Sequence, residues 1–245
     1  YNYGTVWGFN SLFANAAQYK YHFNLSAYSL LCNTYQHDFD YGLGIFPEVF
    51  SGDINTKLGE AYHNQGFCTS GYIFPMMSGL IGLEVNALEN KITFAPKLPM
   101  QWEWIDVNNV KLHNSVINLT NKLKNGEWKL IIEKKGGDEI RFEFMPDLFA
   151  GTVINSVTVD GKPIDFKVID HEQAVQLKSE FTISTSHEVI VKYQPSVEIY
   201  MLEDVTPIGA INEGLKIISQ SIADNKLFLD VEGKPGREYK LGVIN

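Results

Sequence analysis

Two cysteines, Cys32 and Cys68, are all that the 245 residues hold, so one disulfide is possible and no cysteine-rich metal or cross-linked scaffold is. The ordinary state of such residues is a buried thiol. No window approaches the roughly 18 to 20 uncharged apolar residues of a membrane span. Clustered Lys and Arg are missing too. With a net charge of -9, the chain lacks the cationic footprint that nucleic acid requires. It begins with Tyr1 rather than Met and shows no signal-peptide pattern, which reads as a cut or processed chain. The compartment is not legible, with a periplasmic or extracellular setting preferred over the cytoplasm. Low-complexity segments are absent. Asn24-Leu-Ser26 and Asn118-Leu-Thr120 match the glycosylation pattern, which occurs often by chance.

What remains is an ordinary globular composition, 44% hydrophobic and 20% charged, long enough for one large domain or a few small ones. Its character changes near residue 84. Residues 5–22 place Trp7, Phe9, Leu12, Phe13, Ala16 and Tyr19 at spacings of three and four, a helical stripe. Residues 24–39 repeat the pattern with Leu25, Tyr28, Leu31, Tyr35 and Phe39, and Asn24 suits an N-cap. The short link predicts an antiparallel helical hairpin. Residues 41–64 are glycine-rich and aperiodic. Residues 66–82 read as a third helix, apolar all round and therefore buried, with Pro75 kinking it or near its start. After residue 84 the period becomes two. Trp128, Leu130 and Ile132 alternate with Lys129, Ile131 and Glu133, and Ile140, Phe142 and Phe144 with Arg141 and Glu143. Asn125-Gly126, Gly136-Gly137 and Asp160-Gly161 supply turns, so this part predicts an antiparallel β-sandwich. The expected fold class is α+β, with domains at 1–83 (helical), 84–202 (sandwich) and 203–245 (extra strands or a small β-subdomain).

The sandwich is poor in converging polar residues. The loops of the helical part concentrate Asn2, Trp7, Asp38, Asp40, Glu48, Asp53, His63, Asn64 and Gln65 among aromatic residues such as Phe46 and Phe50. Carboxylates beside aromatic faces suit glycoside hydrolysis, because rings pack on sugar faces while carboxylates supply acid and base or nucleophile. The ordinary alternative is a packed core with solvated loop carboxylates. His37, Asp38, Asp40 and His63 are metal-ligating types at no strong spacing, and neither a metal nor a cofactor is expected. Glu48 stands out, following Pro47 within "GIFPEVFSGD". A carboxylate in an apolar loop costs solvation free energy.

Four segments resemble a known family. "YNYGTVWGFNSLFANAAQYKYH", "FPEVFSGD", "YHNQGFCTSGYIFPMMSGLIGLE" and "ITFAPKLPMQWEWIDVNNVKL" are similar, in order, to motifs of six-hairpin glycoside hydrolases of the glycogen-debranching (amylo-alpha-1,6-glucosidase) and glucoamylase-like type. They cover roughly residues 1–115. The resemblance implies an (α/α)6 toroid of helical hairpins, present here only in its C-terminal part and followed by the β-sandwich. It implies an inverting hydrolase of α-glucosidic bonds, with Glu48 as general base. Asn2, Trp7, Phe46, Asp53, Asn64 and Gln65 are then the sugar-binding residues. The general acid belongs to an earlier hairpin, so the implied partners are a carbohydrate and the N-terminal part of a parent chain, and the isolated chain is expected to be inactive. Gly8 departs from the family's proline, and Asn2 and Asn64 stand where relatives often carry His. A non-catalytic carbohydrate-binding or structural module, another specificity such as α-rhamnosidase, and a lyase or phosphorylase remain open. A sandwich binder requires exposed aromatics on one sheet face, with Trp102, Trp104 and Trp128 as candidates. The helical stripes are also expected either to dock on the β-sandwich or to pair with another copy.

Overall fold

The computed structural model describes residues 3–99, 101–124, 126–201, 206–224 and 226–244, without the side chain of Asp38. Asn2 and Asn125, named above for the site and for a turn, lie outside the described residues. The chain divides into two compact units, Tyr1–Leu80 with Ile199–Gly242, and Ile81–Glu198 with Val243–Asn245.

In the first unit, helix α1 (Gly8–Lys20) turns back through His22, at φ 63°, into α2 (Asn24–Tyr35). The stripe puts Leu12 and Tyr19 of α1 and Leu25, Ala27 and Leu31 of α2 inside. Asn15 Nδ2 bridges the pair by donating to the Ala27 carbonyl at 2.5 Å. Asn24 gives no side-chain cap, and the N-cap position falls on Phe23. A single turn, α3 (His37–Asp40), follows. Helix α4 (Gly66–Phe74) runs into a π-helical turn, Pro75–Leu80. Proline has no N–H to give to the ladder, which accounts for the change of winding there. α1 packs against α2, α4 and the π turn.

Two strands of two residues, β1 (Val6–Trp7) and β2 (Val49–Phe50), pair antiparallel, Val6 opposite Phe50 and Trp7 opposite Val49. At the end of this ribbon Gly52 lies against the Gly4 carbonyl so closely that a Cβ would overlap it.

The second unit holds two facing sheets. β3 (Leu83–Asn86), β4 (Lys91–Phe94), β8 (Ile140–Phe144), β13 (Ala174–Ile183) and β12 (Lys167–Asp170) form one, and β9 (Asp147–Phe149) joins it on β13. The other runs β5 (Trp104–Leu112), β6 (Ser115–Lys124), β7 (Glu127–Lys135), β14 (His187–Gln194), β10 (Val153–Val159) and β11 (Lys162–Pro163). β4 and β8 run parallel, while every other registered pair in this unit is antiparallel. Alternation puts Leu130 and Ile132 of β7, Val189 and Val191 of β14, and Phe142 and Phe144 of β8 wholly inside. Trp128 meets Phe144 edge-on across the sheets, ring centroids 6.1 Å apart, and its indole N–H donates to Asn121 Oδ1 at 3.0 Å. Positive φ at Gly136, Gly137, Asp160 and Gly161 marks the turns.

Four more strands follow: β15 (Glu198–Met201), β16 (Lys216–Ala223), β17 (Lys226–Glu232) and β18 (Leu241–Ile244). β16 and β17 form a hairpin with an irregularity between Ile217 and Ser219.

This architecture corrects the expected fold class. The chain is mostly β, 44% strand against 18% helix, and it is not a run of toroid hairpins with a sandwich appended. Apolar stripes state that a helix face is covered, and they do not state how many helices surround a centre. The third helix also differs from its expected burial. Cys68 and Tyr72 are inside, but Phe67, Ile73 and Phe74 are 44%, 58% and 53% exposed. An all-apolar composition has therefore produced one buried side and one exposed side.

Candidate functional site

The loop carrying Glu48 is held by backbone bonds from both directions along the chain. The Gly8 N–H donates to the Glu48 carbonyl at 3.3 Å, and the Glu48 N–H donates to the Tyr62 carbonyl at 3.1 Å. The Gln65 N–H donates to the Phe46 carbonyl at 2.9 Å. Pro47 supplies no donor, so the bonds fall on its two neighbours. Beneath the loop lies an apolar cluster of Leu12, Phe46, Phe50, Cys68 and Tyr72, with Phe9, Tyr35 and Tyr41 packed around it. The Phe46 ring meets Tyr72 edge-on at 4.3 Å and Phe50 at 5.3 Å. Gly8 faces this ring, and a Cβ there would overlap Phe46 Cε1. The backbone at Gly8 therefore approaches the ring closely.

Glu48 is 7% exposed. Its Oε1 accepts a hydrogen bond from Gln65 Nε2 at 3.3 Å. Burial pushes the Cys68 thiol up to about 11; a backbone bond from Phe9 works against this and the nearby Glu48 carboxylate works with it. Cys68 is thus an inert thiol behind the loop. Neither cysteine forms a disulfide.

His37 stacks on Phe50, centroids 4.2 Å apart, and its Nδ1 lies 3.4 Å from Asp40 Oδ2. Burial holds its pKa below the ordinary histidine value, against the opposing pull of Asp40. Asn55 ties the following loop to the later segment of the same unit. Its Nδ2 donates to the Thr206 carbonyl at 2.7 Å, its N–H donates to the Ala210 carbonyl, and its carbonyl accepts from Gly209.

The structure brings together Glu48, Gln65 and Phe46, with Trp7 half-buried on the neighbouring strand opposite Val49. Phe46 is wholly buried, its ring in the core under the loop. Asp53 is exposed past the ribbon, its N–H donating to Ser51 Oγ. Asn64 is exposed and accepts from Thr69 Oγ1 at 3.3 Å. Asn2 lies outside the described residues. Of the metal-ligating types, His37 pairs with Asp40, while His63 lies edge-on to Tyr41. Among the described residues no group of three or more His, Cys, Asp or Glu is placed to hold a metal ion. No helix of the described residues is long and apolar enough to cross a membrane. In the sandwich, Trp128 is core at 1% exposure, and Trp104 is 64% exposed on the edge strand β5. Asn55, which sequence reasoning passed over, gave no local signal, because the Thr206 carbonyl it binds lies 151 residues away.

No family model matches the chain, and no curated protein matches it. Among solved structures it is similar to a GH127 beta-L-arabinofuranosidase from Geobacillus Stearothermophilus T6, at 11% identity and a TM-score of 0.33, over 58% of this chain and 21% of that one. It is also similar to an alpha-L-rhamnosidase from Dictyoglumus thermophilum, at 16% identity and a TM-score of 0.35, over 58% of this chain and 16% of that one. The chain therefore aligns with about a fifth or less of each neighbour's length. Neither name is that of a glycogen-debranching enzyme.

Proposed function

We propose that the chain is the C-terminal portion of an inverting glycoside hydrolase acting on α-glucosidic bonds of oligo- or polysaccharides, with Glu48 as its general base. The observation that supports this most is the placement of Glu48: a carboxylate only 7% exposed, in a loop pinned at Phe46, Glu48 and Gly8. The substrate class is what the family resemblance of the surrounding motifs implies.

In this reading a carboxylic acid from the preceding part of the parent chain protonates the glycosidic oxygen. Glu48 takes a proton from a water whose oxygen attacks the anomeric carbon from the opposite face. The bond to the leaving oxygen breaks as the new C–O bond forms, and the anomeric configuration inverts. A fixed carboxylate shortens the search for that geometry.

Glu48→Gln in the full-length protein tests the assignment. It keeps shape and hydrogen bonding and removes the base. Turnover should fall about 100- to 10,000-fold, the usual range for general acid–base catalysis. The unfolding midpoint should stay near wild type. Normal turnover in the variant would end the assignment. A large loss of stability would instead make Glu48 a structural carboxylate.

A further inference from the structure

The geometry points to Gln65 as the residue that orients the Glu48 carboxylate, and not as a sugar ligand; this rests on Glu48 being the base. Gln65 occupies the N-cap position of α4 in an extended conformation, φ -114° and ψ 112°, yet its side chain does not cap the helix. The Nε2–H group reaches Glu48 Oε1 at 3.3 Å. The backbone of the same residue is fixed at both ends. Its N–H donates to the Phe46 carbonyl at 2.9 Å, and its carbonyl accepts from the Thr69 N–H at 3.0 Å. The Gln65 backbone is thus anchored to the first turn of α4 and to the Glu48 loop at once, which places its amide beside the carboxylate.

The side-chain type suits the task. A glutamine amide always offers a donor and never changes charge with pH. It directs one carboxylate oxygen, and so the rotamer of the whole group, without the full opposing charge of Lys or Arg, which would favour the ionised form far more strongly and weaken a base. Small errors in the placement of a reacting group are costly in rate.

A double-mutant cycle in the full-length protein tests this. A panel of 4-nitrophenyl α-D-glucoside, α-L-rhamnoside and β-L-arabinofuranoside, with maltose and maltotriose, identifies the substrate turned over fastest. Wild type, Gln65→Met, Glu48→Gln and the double variant are then compared on it. Gln65→Met is near in size, and a thermal melt checks that it folds. Gln65→Met should lower kcat about 10-fold or more with KM little changed, and should add nothing in the Glu48→Gln background. In the 15N-labelled chain, the Gln65 side-chain amide resonance should move when Glu48 becomes Ala. A rise in KM at constant kcat, or a loss that multiplies with that of Glu48→Gln, makes Gln65 a sugar contact and overturns the inference. So does a Gln65→Met that behaves as wild type, or one that does not fold. No turnover of any panel member overturns the glycosidase reading, full activity in Glu48→Gln overturns Glu48 as the base, and the inference falls with either.

Discussion

Lys134 and Glu48 are each 7% exposed, one in each unit, and the chain accommodates the two buried charges differently. Lys134 Nζ donates to the Gly136 carbonyl at 2.6 Å, to Gly137 at 3.2 Å and to Ser184 at 3.4 Å. Three carbonyls match the three donors of an ammonium, and two of them lie within three residues in the chain. In the sandwich, then, a turn close in sequence does most of the work. At Glu48 the backbone is held by residues 8 and 62, and the carboxylate accepts from Gln65, 17 residues further on. A regular sheet satisfies its exceptions nearby, while the loop of the first unit depends on distant segments. A buried charge that the local chain satisfies is a feature of the fold. One that the fold must gather partners for is the better candidate for function.

Emptying the centre of each unit gives the largest expected effects. Trp128→Ala removes the largest fully buried side chain and should cost about 3–5 kcal/mol, read by denaturant unfolding. Phe46→Ala, at 0% exposure, should cost nearer 3 kcal/mol, since exposed aromatics around the first unit show a less complete core. Hydrogen exchange should then show early opening of 46–50 with the sandwich strands still protected. Equal, global loss of protection in both variants would remove the contrast between the units.

Gly8→Ala comes next. The new methyl meets a Phe46 ring that is already packed against Tyr72 and Phe50, so over-packing should cost about 1–3 kcal/mol. Denaturant midpoints measure it. A neutral result would mean that the ring can retreat and that the loop is looser than its burial indicates.

The smallest effect is a pH dependence. Burial lowers the His37 pKa in the fold, so the unfolded chain binds the proton more readily. The His37 contribution is full above the unfolded value of about 6.5 and is lost as pH falls from there toward the folded value. Wild type should therefore lose more stability between pH 7 and pH 5 than His37→Phe does, measured as the difference in thermal midpoints. Equal losses would show that Asp40 offsets the burial.

Much of the sandwich was legible because alternation is a local signal. The period of two in 127–135, 140–144 and 187–194 names the inward residues, and Gly136-Gly137 and Asp160-Gly161 name the turns. The helical segments were legible in position for the same reason. The toroid that the family resemblance implied does not hold, and a stripe carries no record of its partner; Phe74 shows this, apolar yet half exposed. In the loop, Pro47-Glu48 drew attention by composition alone. The bond from Gln65 to Glu48 had no signature, since the residues are 17 apart in a segment without periodicity. Phe46 was legible as an aromatic near the site, but only packing shows that its ring lies in the core.

The ribbon that sets Val6 opposite Phe50 also fixes an order of events during synthesis. As the chain leaves the ribosome, the segments of α1 and α2 emerge before residue 48 and can form their hairpin from local contacts. The Glu48 loop has no such recourse. Closing a loop between residues 6 and 50 costs entropy before any contact compensates, and Tyr62 and Gln65 have yet to emerge. Until they do, the carboxylate stays in water. The candidate base therefore takes shape only after the hairpin of α1 and α2, and a chain arrested before residue 65 would carry Glu48 without the site.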